Sequence, residues 1–150
     1  MTSSDARAAA QADGPAELDR AECLRLLAAG VVGRVVFTER AMPAVHPVTY
    51  VLDGEEVVFR TVSGGKLAAA RRHAVLAFEI DQIDPAGGTG WSVLGIGPAY
   101  EVLDTRRLAE LAFRLPATGA ASARDGRMIA VPLQHLTGRR LSVDPSAPAR

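Results

Sequence analysis

A chain of 150 residues is the length of one domain, and 48% hydrophobic residues suffice for a real core. Acidic and basic residues balance at 17 each, with a pI near 6.8, which excludes attraction to nucleic acid or an anionic membrane by bulk charge. No apolar run approaches the roughly 18 residues of a spanning helix, and the one cysteine, Cys23, cannot form an internal disulfide, in keeping with a reducing cytoplasm.

Residues 1–17 are polar and rich in Ala, Ser, Asp and Gly. They read as a flexible tail without the apolar stretch of a secretory signal, ahead of a domain over 18–143. Asp19 with Glu22 three residues on predicts a capping box and a helix that stops at Gly30. Leu24, Leu27 and Ala28 form its apolar face, and Cys23 reads as a structural thiol rather than a nucleophile. Residues 31–38 predict a strand with Arg34 in a structural role, and 39–43 a turn. Residues 44–52 predict a second strand in which Pro47, lacking an N–H, implies an edge or a break in the ladder. Asp53-Gly54 signals a two-residue hairpin, with 55–61 as the return strand.

The stretch Val57-Val58-Phe59-Arg60-Thr61-Val62-Ser63-Gly64-Gly65-Lys66-Leu67 is the most informative. Period-two alternation gives way to a Gly-Gly turn and then to a strong helix former over 66–73. Amides at a helix start, Thr61 and Ser63, and the cations Arg60 and Lys66 are the equipment for holding a phosphate. Lys66 is the chain's only lysine. Taken alone, Gly-Gly-Lys serves equally well as a solvated turn, and it lacks the spacing of a nucleotide-triphosphate loop.

Residues 74–81 predict a buried strand, 82–90 a Gly/Pro loop, and 91–103 a long strand in which Gly95 and Gly97 mark a bulge or bend. Asp104 caps a helix to about Arg114 with Leu108, Leu111 and Ala112 as its stripe. A loop over 116–126, strands over 127–133 and 136–143, and a tail over 144–150 complete the chain. The fold class is mainly β with some α: a small antiparallel barrel with short flanking helices. Three histidines, His46, His73 and His135, form no zinc pattern and no hydrolytic triad, so no metal site is expected.

The ordered set His46-Pro47-Val48-Thr49-Tyr50, Asp53-Gly54, Phe59-Arg60-Thr61, Gly65-Lys66-Leu67, Ala77-Phe78-Glu79-Ile80-Asp81, Gly90-Trp91-Ser92-Val93 and Thr137-Gly138-Arg139-Arg140 resembles the pyridoxamine 5′-phosphate oxidase-like family of flavin-binding split β-barrels. The resemblance spans about residues 19–143. It implies FMN bound at a homodimer interface, with a small-molecule substrate and the flavin carrying the redox chemistry. Arg60 and Lys66 would grip the phosphate, helped by Thr61, Ser63 and the Gly65–Leu67 turn. His46, Pro47, Val48 and Thr49 would line the ring. Trp91 and Ser92 would approach from the second subunit, as would Arg139 or Arg140. Related chains use a deazaflavin or haem instead, with His46 or His135 as haem candidates, and a flavin-binding module without turnover fits the same residues. Thr49 stands where such relatives often carry Asn, and Leu115-Pro116-Ala117-Thr118-Gly119 lacks their Pro-Trp, so vitamin B6 oxidation is not implied.

Overall fold

The computed structural model describes residues 16–62, 64–115 and 126–142. Ser63, the expected loop after Leu115 and nearly all of both expected tails lie outside the described residues. In chain order the elements are β1 (Glu17–Leu18), α1 (Arg20–Ala29), β2 (Val32–Glu39), β3 (Met42–Asp53), β4 (Glu56–Thr61), α2 (Gly65–Arg71), β5 (Val75–Asp84), β6 (Thr89–Pro98), β7 (Tyr100–Glu101), α3 (Thr105–Arg114), β8 (Arg127–Pro132) and β9 (His135–Ser142). The strands pair in the order β1-β9-β6-β5-β2-β3-β4-β8-β7, antiparallel throughout, and curl into a split β-barrel.

Two strands turn the corners of the barrel. Residues 42–49 of β3 pair with β2, and only 50–53 pair with β4. Among the described residues the first half of β3 therefore has a neighbour on one side, and Pro47, opposite Arg34, sits on the edge that its missing N–H requires. The second corner divides the strand expected over 91–103. β6 ends at Pro98, opposite Val75, and after Ala99 the chain pairs with β8 as β7. Proline cannot extend the ladder, and the Ala99 N–H turns to the Ala74 carbonyl at 3.0 Å. Gly95 and Gly97 mark no bulge, because the β5–β6 register runs unbroken. They allow close crossing instead: a Cβ on Gly97 would lie 1.7 Å from the Pro132 carbonyl oxygen, and one on Gly95 2.4 Å from Leu133 Cδ2. The loop expected over 82–90 is shorter than anticipated. Asp84 Oδ1 accepts from the Ala86 N–H at 3.0 Å, and the strands run on to Asp84 and Thr89. The hairpin turn falls on Gly54-Glu55, since Asp53 pairs with Glu56.

The Asp19 cap forms as expected, its carboxylate accepting from the Glu22 N–H at 2.8 Å. Cys23 and Leu27 are the buried residues of α1, and Ala28 is exposed rather than part of the apolar face. Cys23 packs against β9, where a side chain at Gly138 would come within 2.6 Å of Sγ. Inside the barrel, Val35, Phe37, Phe59, Leu76, Phe78, Val93, Ile129 and Val131 form the core with Tyr50. The Tyr50 hydroxyl donates to the Leu27 carbonyl at 2.7 Å, and burial pushes its pKa up to about 12.

On the outside of β4 and β8, α3 covers Val58, Met128 and Ala130 with Leu111. Here Arg107 donates to Asp53 at 3.0 Å, Glu56 at 2.9 Å and the Tyr100 hydroxyl at 2.6 Å. With one guanidinium tying α3 to the β3–β4 hairpin, Arg107→Ala should cost about 1–3 kcal/mol, since it leaves partly buried carboxylates short of a partner. Urea denaturation checks this, and a loss below a few tenths of a kcal/mol would reduce the cluster to surface decoration.

Candidate functional site

The Gly-Gly turn and the β2–β3 hairpin meet at one mouth of the barrel. Gly64 takes φ 104, ψ −156, a conformation open to glycine alone, and apart from its chain neighbours no atom of the described residues lies within 4 Å of where its Cβ would be. The turn delivers Lys66, whose Nζ lies 2.9 Å from His46 Nδ1 and 5.9 Å from the Phe37 ring centroid. An ammonium can only donate, so His46 accepts at Nδ1 as the neutral ring with its proton on Nε2. Phe37 packs edge-on against His46 at 5.0 Å, fixing the imidazole from the core side. Burial lowers the Lys66 pKa, and the Glu39 carboxylate opposes that shift. Helix α2 has seven residues, so the ammonium rather than a helix dipole dominates the electrostatics.

Neither Glu39 nor Phe37 belongs to a motif that marks it for this site. Glu39 ends β2 beside Arg40 and Ala41, which take left-handed φ of 52° and 62°. Its carboxylate rests against Gly65: a Cβ there would fall 2.8 Å from the Glu39 Cδ and Oε1 and 2.9 Å from Phe37 Cε2. Gly65 is therefore required by packing on this side, whereas Gly64 is required by backbone conformation. No local pattern announces such a contact, because it is made between two separate turns.

The other expected site residues are distributed as follows. Thr61 and Leu67 are buried. Arg60 projects from the α3 side of β4, where Nε and Nη2 donate to the Leu115 carbonyl at 3.1 and 2.9 Å, so its guanidinium secures the end of α3 and does not join Lys66. Pro47 and Thr49 are exposed on the outer face of the sheet, opposite Arg34 and Val32, while His46 and Val48 point toward the interior. Ser92 pairs with Asp81 and Arg139, placing both Ser92 and Arg139 on that outer face. Trp91 and Arg140 lie on the opposite face: Trp91 packs against the core and Arg140 Nη2 is 3.7 Å from Glu22 of α1. Measured along the curled sheet, His46 and Trp91 are three strand spacings and four residues of rise apart, a path of roughly 20 Å at ~4.8 Å per strand and ~3.3 Å per residue. Lys66 and His46 thus sit at a different part of the sheet from Trp91, and Ser92 and Arg139 lie on its other face.

The outer face holds a carboxylate pair on one arginine. Arg34 Nη1 lies 3.3 Å from Glu79 and 3.4 Å from Asp81, and Glu79 also borders a depression of about 280 Å³ with Ser92, Leu94, Thr137 and Arg139. Burial, then the Asp81 carboxylate, push Glu79 up to about 7 against the pull of Arg34. The folded value exceeds the unfolded one, so this group's stabilising contribution is full below about pH 4 and is lost as pH rises through about 7. Glu79→Gln should therefore raise stability by about 1–2 kcal/mol at pH 8, after allowance for partial exposure, and change little at pH 4. Denaturation midpoints at the two pH values check this, and equal effects at both would contradict the assignment.

Comparison with known proteins bears on this geometry. The sequence profile of the pyridoxamine 5′-phosphate oxidase family matches residues 19–140. The uncharacterized protein Rv0080 of Mycobacterium tuberculosis is 39% identical over 137 residues, 88% of this chain and 89% of that one. The FAD binding protein from Mycobacterium smegmatis superposes with a TM-score of 0.68 at 32% identity, covering 84% of this chain and 97% of that one. A conserved protein of unknown function, DIP1874 from Corynebacterium diphtheriae, gives 0.68 at 30% identity, covering 87% of this chain and all of that one (100%). A family match over nearly the whole described barrel, joined to the split-barrel topology, establishes that this chain belongs to the pyridoxamine 5′-phosphate oxidase family.

Proposed function

We propose that this protein is a cytoplasmic homodimer that binds a flavin nucleotide, with FMN as the minimal form, and uses it to oxidise or reduce a small molecule. The observation that carries the reading is the Lys66–His46 pair beside the one-sided half of β3. A half-buried ammonium next to a turn with open space at Gly64 suits a phosphoryl oxygen. A strand edge without a second neighbour offers backbone groups to the heteroatoms of a flat ring, and Pro47 and Thr49 stand there exposed. The residues present therefore fit a flavin nucleotide, and the FAD binding relative from Mycobacterium smegmatis supports that choice.

When bound, the flavin supplies the electron transfer. Lys66 holds the phosphate, neutral His46 holds Lys66, and the β3 edge orients the ring. The placement of the two halves of the expected site on separate strands and opposite faces of the sheet supports a site shared between two copies. On this reading the outer face meets its own copy about a two-fold axis. Of the two arginines, Arg139 on that face is the one contributed across it, and Arg140 stays with Glu22.

Anaerobic mixing of the flavin-loaded protein with NADH or NADPH, together with sedimentation, tests both parts. Loss of the flavin absorption bands and the mass of two chains are expected. Bound flavin that stays oxidised would point to a binding module, and a flavin-loaded monomer would contradict the shared site.

A further inference from the structure

We propose that Glu39 is a charge filter at the phosphate end of the site: it favours a flavin whose phosphate there carries a single negative charge, as in the diphosphate bridge of FAD, over the doubly charged terminal phosphate of FMN. This rests on the flavin reading above. Lys66 is the only ammonium of the cluster, and His46 is neutral while it accepts from it. Glu39 places one negative charge against Gly65, on the turn that carries that ammonium, and offsets part of its charge, while the Arg72 guanidinium donates to the neighbouring Thr38 carbonyl at 3.5 Å. The opposing influence of Glu39 on the Lys66 proton is the same interaction seen from the lysine.

The carboxylate and the Phe37 ring both reach the space at Gly65, and the turn that follows Glu39 has two residues in left-handed backbone. The hairpin thus sets where Glu39 leaves β2. An approach to Lys66 runs over Gly64, where apart from its chain neighbours no atom of the described residues lies within 4 Å of a Cβ position. A phosphate arriving there shares the ammonium with Glu39. A terminal phosphate monoester carries about −1.5 to −2 charges at pH 7, whereas each phosphate of a dinucleotide bridge carries one. Like-charge repulsion at this range penalises the monoester more.

The test titrates FMN, FAD and riboflavin into the wild-type protein and Glu39→Gln, following flavin fluorescence. The filter predicts that Glu39→Gln tightens FMN about five- to tenfold and FAD about twofold, leaves riboflavin unchanged, and so narrows the preference for FAD. An unchanged FAD-to-FMN ratio, with flavins still bound, overturns the filter alone. Failure of the wild type to bind any of the three overturns the flavin reading and the filter with it. Glu39→Ala repeats the measurement should the glutamine variant fold poorly, and a fall in FMN affinity in a folded variant also overturns the proposal.

Discussion

Replacing Lys66 by alanine should weaken binding of a flavin nucleotide by about 1.5–3 kcal/mol, roughly 10- to 150-fold, the scale of a charge-assisted hydrogen bond. Riboflavin, which has no phosphate, should bind wild type and variant alike. The difference follows from geometry: Lys66 Nζ is held by His46 at 2.9 Å and sits over Phe37, so its position is set before a ligand arrives. Arginine should restore only part of the affinity, because a planar guanidinium cannot replace a compact point charge seated on one imidazole nitrogen. Calorimetric titration of the three proteins with FMN and riboflavin checks the set. Equal loss for both ligands would assign Lys66 to the ring or to the fold rather than to the phosphate.

Phe78→Ala should produce the largest loss of stability, about 3–5 kcal/mol, from lost burial and the cavity left behind. Phe78 is fully buried, meets Tyr50 edge-on at 4.7 Å, and reaches so close to β2 that a Cβ at Gly33 would fall 2.1 Å from Cζ. Gly33 and Phe78 are thus one steric unit across the β2–β5 pair. Gly33→Ala alone should also be costly, and in combination with Phe78→Leu the two changes should cost less than their sum. Urea denaturation at constant slope measures all three. A domain of this size holds about 5–15 kcal/mol in total, so the Phe78 loss should bring the unfolding midpoint down severely.

Much of the fold was legible because it depends on local chemistry. Alternating Val57, Phe59 and Thr61 face the interior, Asp19 and Asp104 cap their helices, and Pro47 reports an edge. The break at Ala99 was not legible, since it depends on which strand the chain meets after Pro98. Glycines in a strand signalled something unusual, but a bulge and a close crossing leave the same mark in sequence. The candidate site divides in the same way. Lys66 stood out as the lone lysine, and His46 as a histidine before proline. Their contact joins residues 20 positions apart and depends on the β2–β3 hairpin folding toward α2. In sequence Glu39 is indistinguishable from a turn residue, because its apposition to Gly65 exists only in three dimensions. The strand period alone places Trp91 and Ser92, neighbours in sequence, on opposite sides of the sheet, and Arg139 and Arg140 likewise.

The most direct test of the central claim is an absorption spectrum of the protein purified without added cofactor, followed by titration with FMN and FAD. Flavin bands, or their appearance on titration with saturation at one flavin per chain, are the expected result. A colourless protein that binds neither nucleotide would contradict the account.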